Sequence, residues 1–124
     1  PPPPKADESV FTRTALIYKS YAFFRLTATA IMKFSKPWRY TIGERLQDTI
    51  LAVVDQTGQA LYARQPLKEP YILQLLGTLQ TLTLLVRLCY DEKLISEQQF
   101  FLWSERVEEL CRMAAGWLSS VRTK

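Results

Sequence analysis

Lysine and arginine side chains in the first third of this 124-residue chain are the residues best suited to chemistry. Between Ser9 and Tyr40 the sequence contains six cations and no acid, namely Arg13, Lys19, Arg25, Lys33, Lys36 and Arg39. From Thr41 onward, nine cations are balanced by ten acids. Cations without acids favour an anionic partner, and phosphate in particular, because each phosphate contact releases condensed counterions. The alternative is an ordinary solvated surface, although such surfaces usually mix both signs of charge.

Further cations and two aromatic residues extend this candidate site. Arg87 stands among leucine, valine and cysteine. We therefore expect one of three arrangements: the aliphatic part of its side chain is buried while the guanidinium reaches solvent, the guanidinium pairs with an acid, or it faces a channel between subunits. The acids considered as its partner are Glu44, Glu105 and Glu108. Tyr18 and Tyr40 lie near the cations and are candidates for stacking on an exposed base. The predicted nucleic-acid-binding residues are Lys19, Arg25, Lys33, Lys36, Arg39, Arg45, Arg87 and Arg112.

Catalytic residues are sparse in this sequence. Histidine is absent, which excludes Ser/His/Asp and Cys/His nucleophilic sites and any His-ligated metal. The two cysteines, Cys89 and Cys111, stand in separate apolar segments and are expected to be reduced core residues of a cytosolic protein. No glycine-rich phosphate loop is present, and the acids do not form a hydrolytic set. We therefore expect a cytoplasmic protein without catalytic activity, cofactor or metal.

The positions of prolines and capping residues predict four helices that carry these side chains. The first is expected over 10–34, ending before Lys36-Pro37. The second would begin at the capping box Thr41-x-x-Glu44 and end near residue 64. The third would have Pro70 in its first turn and end near residue 90. The fourth would begin at the capping box Ser96-x-x-Gln99 and end near residue 121.

Helices of similar length with short connections predict an all-α, antiparallel up-down-up-down four-helix bundle over 10–121. Residues 1–9 would form a disordered proline-rich tail, and 122–124 a C-terminal tail. The predicted apolar side of the first helix comprises Leu16, Ile17, Tyr21, Phe23, Phe24, Ala28, Ile31 and Phe34. Glycines 58, 77 and 116 inside helices indicate either close helix approach or simple tolerance.

The third helix is apolar around nearly its whole circumference. Such a helix is expected to be buried on all sides, whereas a monomeric four-helix bundle leaves one face of each helix exposed to solvent. We therefore expect its second apolar face to contact another subunit. Gln74, Gln80 and Arg87 interrupt the apolar stretch, so no membrane span is expected.

Three segments resemble the Avd-like four-helix-bundle proteins, the accessory variability determinants of diversity-generating retroelements. Residues 33–46 (KFSKPWRYTIGERL) resemble the junction between the first two helices of that family. Residues 84–91 (LLVRLCYD) and 112–118 (RMAAGWL) are similar to its later helices. The resemblance covers about 18–121. It implies a basic homopentameric barrel that binds a reverse transcriptase and nucleic acid, supporting error-prone copying of template RNA into cDNA.

The leading hypothesis is thus a non-catalytic accessory subunit that binds a reverse transcriptase and RNA or DNA through phosphate contacts. The rival hypothesis is a helical protein–protein adaptor without a nucleic-acid role. It would be similar to the bundle family encoded in intervening sequences of 23S ribosomal RNA genes. The start of the second helix in that family reads differently from residues 40–46 (YTIGERL).

Overall fold

The computed structural model describes the backbone of residues 5–123 and the side chains of residues 14–123. Four long helices are present: α1 (Lys5–Ile31), α3 (Glu44–Tyr62), α4 (Gln65–Asp91) and α5 (Glu97–Arg122). Between α1 and α3 lie the short helix α2 (Lys36–Trp38) and a π-helical segment (Arg39–Gly43). No strand occurs within 5–123, which confirms the all-α prediction. Of the predicted tails, residues 1–4 and 124 lie outside the described residues, residues 5–9 belong to α1, and Arg122 ends α5.

The helix that follows α1 begins earlier than the sequence suggested. Ser35 has extended backbone angles and precedes α2, which has Pro37 in its first turn. A proline there needs no N–H partner, so it begins a helix here. The capping box predicted at Thr41 is wrong, because the Thr41 hydroxyl instead donates to the carbonyl of Pro37 (2.7 Å). The Glu44 N–H bonds to the carbonyl of Arg39, a five-residue step that makes the intervening turn a π-helix.

The two later helices begin at a proline and at a capping box. Pro66, rather than the predicted Pro70, occupies the first turn of α4, and Pro70 lies inside the helix. The Ser96 capping box of α5 is present as predicted. The Gln99 N–H donates to the Ser96 hydroxyl (3.1 Å), and the Ser96 N–H donates to the Gln99 side chain (2.8 Å). Two backbone donors at the start of α5 are thereby satisfied.

The buried stripe of α1 differs from the predicted one. It follows Leu16, Ser20, Phe23, Thr27 and Ile31, while Tyr21 is 57% exposed. Ser20 and Thr27 are buried because their hydroxyls donate to carbonyls of their own helix, those of Leu16 (2.8 Å) and Phe24 (3.0 Å). The prediction that Tyr21 belongs to the core is therefore wrong.

Aromatic and charged pairs connect the long helices. Phe23 of α1 packs edge-on against Trp103 of α5, with ring centroids 6.1 Å apart. One turn earlier in α1, Lys19 pairs with Glu109, which lies later in α5. Tyr90 of α4 stacks on Phe100 of α5 at 4.5 Å. At the other ends of these two helices, Arg122 pairs with Glu69 (2.7 Å).

Helix α4 buries one apolar face and exposes another. Leu75, Leu79, Leu82 and Val86 are fully or nearly fully buried, whereas Leu84 is 70% exposed. Leu73 and Leu88 are also exposed. Within the single chain, the second apolar face of α4 therefore meets solvent, as expected for a lone bundle, and its contact with another subunit stays a prediction. Of the described helices, α4 is the one long and apolar enough to cross a bilayer, a property that core helices of bundles share.

Gly43 permits the closest approach between the π segment and α1. A Cβ atom added there would lie 2.7 Å from Cγ2 of Ile31. Gly58, Gly77 and Gly116 have no atom within 4 Å of an added Cβ. Close helix approach within the chain therefore explains Gly43 and does not explain the other three.

Candidate nucleic-acid interface

The junction between α1 and α2 presents lysines at the surface. After α1 ends at Ile31, the amides of Lys33 and Phe34 bond to carbonyls three residues earlier, both at 3.0 Å. These bonds close a tight turn that buries Phe34 and exposes the flanking Lys33 and Lys36. Neither lysine forms an ion pair with an acid whose side chain is described. Both ammonium groups are therefore available to an anion.

Arg39 contributes to the junction mainly through structure. Its Nη2 donates to the carbonyl of Phe34 (3.4 Å), at the end of the turn that follows α1. Its guanidinium lies 5.9 Å from the centroid of the Tyr40 ring, a cation–π distance. Its Nε is buried and finds no hydrogen-bond partner among the described residues. Substitution of Arg39 would therefore disturb the turn as well as the surface charge.

The remaining predicted cations of α1 lie on different sides of the helix. Arg25 is exposed and has no ion pair within the described residues. Lys19 lies toward α5 and pairs with Glu109 (2.7 Å). The hydrogen bond from Lys19 lowers the pKa of Glu109. The charge of Lys19 is therefore offset by that of Glu109, whereas Arg25 has no acid paired with it within the described residues. The side chain of Arg13 lies outside the described residues.

The predicted cations of α3, α4 and α5 each have acids of their own nearby. Arg45 lines a shallow cavity of about 300 Å³ between α3 and α4, together with Asp48. Arg87 is exposed and pairs with Asp91 (2.9 Å), so none of the three acids considered from sequence is its partner. Arg112 lies 4.0 Å from Glu108, as i,i+4 spacing allows. Of the eight predicted residues, Lys33, Lys36 and Arg39 therefore lie in or next to the α1–α2 junction, and the other five lie on the long helices.

A groove between α1 and α3 contains residues that the sequence reasoning assigned to the core. Its volume is about 410 Å³, and it is lined by Ile17, Tyr18, Tyr21, Phe24, Leu51 and Val54. A second groove, of about 520 Å³ and including Met32, Tyr40 and Glu44 in its lining, continues along the same pair of elements. We call these two grooves together the α1–α3 seam. The sequence did not reveal the seam, because Ser20 and Thr27 have the polarity of surface residues and Tyr21 has the apolar ring of a core residue.

The chemistry available elsewhere in the described residues is limited. Within 14–123, no group of three histidine, cysteine, aspartate or glutamate side chains is placed to hold a metal ion. Both cysteines are free thiols. Burial raises the pKa of Cys89 to about 11, and burial also raises the pKa of Cys111. Both thiols are therefore protonated, and poorly nucleophilic, at neutral pH.

Comparison with known proteins adds no relative. No family model matches the chain, and neither a curated protein nor a solved structure does.

Proposed function

We propose that this protein is a non-catalytic, cytoplasmic accessory subunit of a diversity-generating retroelement. It binds nucleic acid through phosphate contacts and a reverse transcriptase through protein contacts. The observation that carries the proposal is the exposed pair Lys33 and Lys36, in a stretch from Thr14 to Tyr40 that contains no acid. This pair lies within the segment whose sequence resembles the Avd-like junction. Exposed cations without neighbouring acids attract phosphate strongly and in a salt-dependent manner.

The direct test measures RNA and DNA binding by fluorescence anisotropy over a series of salt concentrations. We expect tight binding at low salt and a steep fall in affinity as salt rises. The double variant Lys33→Gln/Lys36→Gln should reduce the slope of log affinity against log salt by about two. Arg39 is left unchanged, because its substitution would remove both a charge and a hydrogen bond to the Phe34 carbonyl, and the two effects could not be separated.

The matched control is Arg64→Gln, which removes an exposed cation at the start of α4. It should leave the salt slope within error of the unmodified protein. If the wild-type protein binds no RNA or DNA even at low salt, the proposal is refuted. The chain would then fit the rival adaptor of the 23S rRNA intervening-sequence type.

The proposed arrangement of the helices is an antiparallel up-down-up-down bundle. Support comes from contacts between α1 and α5 in which a higher residue number in one helix meets a lower residue number in the other. Lys19 pairs with Glu109, and Phe23 then contacts Trp103. An experimental structure, or distances between spin labels at the helix ends, would test this order.

Self-association is proposed to use the exposed apolar face of α4. Residues 70–86 contain no charged side chain, and Leu73, Leu84 and Leu88 are exposed. Burial of such a face against a second copy removes apolar surface from water. The resemblance implies five subunits, a number that light scattering measures directly.

The variant Leu84→Gln tests that face without disturbing the core, since Leu84 is 70% exposed. It should lower the solution mass toward that of a single chain. Phe101→Gln alters a similarly large exposed residue on α5 and should leave the mass unchanged. A monomeric wild-type protein would contradict this part of the proposal.

Binding to the polymerase is tested with a purified reverse transcriptase of a diversity-generating retroelement. We expect the two proteins to elute together in size-exclusion chromatography and the complex to withstand nuclease treatment. Association that disappears after nuclease treatment would show that nucleic acid bridges the two proteins, which would contradict direct contact.

A further inference from the structure

Three exposed tyrosines lie along the α1–α3 seam, and phosphate binding alone gives them no role. Tyr18, Tyr21 and Tyr40 are 68%, 57% and 60% exposed. The first two line the 410 Å³ groove, and the third lines the 520 Å³ groove. Large exposed rings around an apolar groove mark a binding surface more often than an isolated exposed residue does.

The spacing of these residues makes a continuous line on one side of α1. Tyr18, Tyr21, Arg25 and Met32 follow one another at three-, four- and seven-residue steps, which place them on one helix face. From Tyr18 to Met32 this face is about 21 Å long, at about 1.5 Å per residue. That length corresponds to about six stacked nucleotides at about 3.4 Å each.

The charges around the seam suit a nucleic-acid strand. Arg25 lies between the tyrosines and Met32 on that line, and its charge is unpaired within the described residues. Lys33 and Lys36 follow where α1 ends. The Arg39 guanidinium already lies at a cation–π distance from Tyr40. Arg39 and Glu44 both line the second groove, whereas no charged residue lines the first.

We propose that the α1–α3 seam binds single-stranded nucleic acid with unpaired bases. The rings of Tyr18 and Tyr21 stack on successive bases, while Arg25 and the junction lysines contact phosphates. This inference rests on the proposed function and adds a substrate class to it. A duplex hides the faces of its bases, so it gains phosphate contacts and no stacking on the seam.

The experiment compares three labelled oligonucleotides in which each strand has about 12 nucleotides. One is single-stranded oligothymidine, the second has the same backbone with abasic sites throughout, and the third is a duplex. Anisotropy is measured with the full chain at one low salt concentration. With about ten-fold from each of the two rings, we expect the base-bearing single strand to bind about 100-fold more tightly than the abasic strand.

Single substitutions assign the difference to the seam. Tyr18→Ala and Tyr21→Ala should each weaken binding of the base-bearing strand by about ten-fold and leave abasic binding unchanged. Tyr21→Phe keeps the ring and should retain affinity. Tyr62→Ala is the matched control, because Tyr62 is 87% exposed and does not line either groove. Circular dichroism of each variant establishes that the helices are intact.

The outcomes separate this inference from the function on which it rests. Equal affinity for base-bearing and abasic strands would overturn stacking and leave phosphate binding in place. Stacking is also overturned if photocrosslinking with bromouracil attaches the strand elsewhere and never to Tyr18 or Tyr21. The seam would then fit the apolar face of a partner protein's helix. Absence of binding by all three oligonucleotides would overturn both proposals.

Discussion

Replacement of Gly43 by alanine tests how tightly the π segment packs on α1. The new Cβ would lie 2.7 Å from Cγ2 of Ile31 and 3.5 Å from the carbonyl oxygen of Trp38. Carbon atoms in favourable contact are about 3.5–4.0 Å apart, so the first distance requires a shift of nearly 1 Å. Overpacking of this kind costs about 1–3 kcal/mol. Alanine recovers about 1 kcal/mol over glycine within a helix. We expect Gly43→Ala to lower the free energy of unfolding by about 1 kcal/mol.

Gly58→Ala provides the matched control for this prediction. Nothing lies within 4 Å of a Cβ added at Gly58, so the gain in helix propensity should appear alone. This variant should be about 0.5–1 kcal/mol more stable than the unmodified protein. Urea denaturation followed by far-UV circular dichroism at one fixed protein concentration gives both free energies by linear extrapolation.

A double-mutant cycle with Ile31→Ala isolates the clash itself. Ile31→Ala removes Cγ2, so the cost of Gly43→Ala should vanish in that background. The coupling energy should be about 1–3 kcal/mol. If Gly43→Ala stabilises the protein as much as Gly58→Ala does, the packing of the π segment against α1 has been misjudged.

Three further predictions concern an ion pair, the thiols and a helix cap. Glu109→Gln should cost less than about 1 kcal/mol at neutral pH, because its pair with Lys19 is solvent-exposed. Since the pair lowers the pKa of Glu109, it stabilises the folded protein above the ordinary glutamate pKa, and this stabilisation disappears as the pH falls through the lowered pKa. Equal free energies of unfolding for the unmodified protein and the variant at every pH would contradict this. Iodoacetamide should modify Cys111 before Cys89 at neutral pH, because Cys89 is fully buried and its pKa is raised to about 11; mass spectrometry decides the order. Ser96→Ala should destabilise the protein by about 1 kcal/mol in thermal or urea unfolding, and an unchanged midpoint would show that water replaces the cap.

Local sequence signals identified the helices whose ends depend on short-range contacts. The Ser96 capping box satisfies its donors within four residues, so its sequence pattern was sufficient to locate the start of α5. Pro37 was ambiguous for the opposite reason. A proline both ends a helix before it and begins one after it, and only the extended angles of Ser35 decide between these roles.

Residue types alone did not distinguish the core face of α1 from its seam face. Ser20 and Thr27 are fully buried because each bonds to a carbonyl of its own helix, which hydropathy does not register. Tyr21 is apolar enough for a core and yet lies on the seam. The partners of the cations were equally beyond prediction. Lys19 meets Glu109 through a pairing 90 residues apart in sequence, which depends on how α1 and α5 pack.

The π segment also determines the direction in which the side chains before α3 point around the axis of that helix. A π turn contains about one residue more than an α-helical turn, and one residue corresponds to about 100° of rotation. Removing one residue between Arg39 and Gly43 would therefore turn Lys36 and Trp38 about the axis of α3, while the residues after Glu44 kept their register. The direction of the junction lysines thus depends on chain length at this one point. Because Ile42 and Gly43 are buried, an insertion or deletion here would change that direction and the packing of the π segment on α1 together.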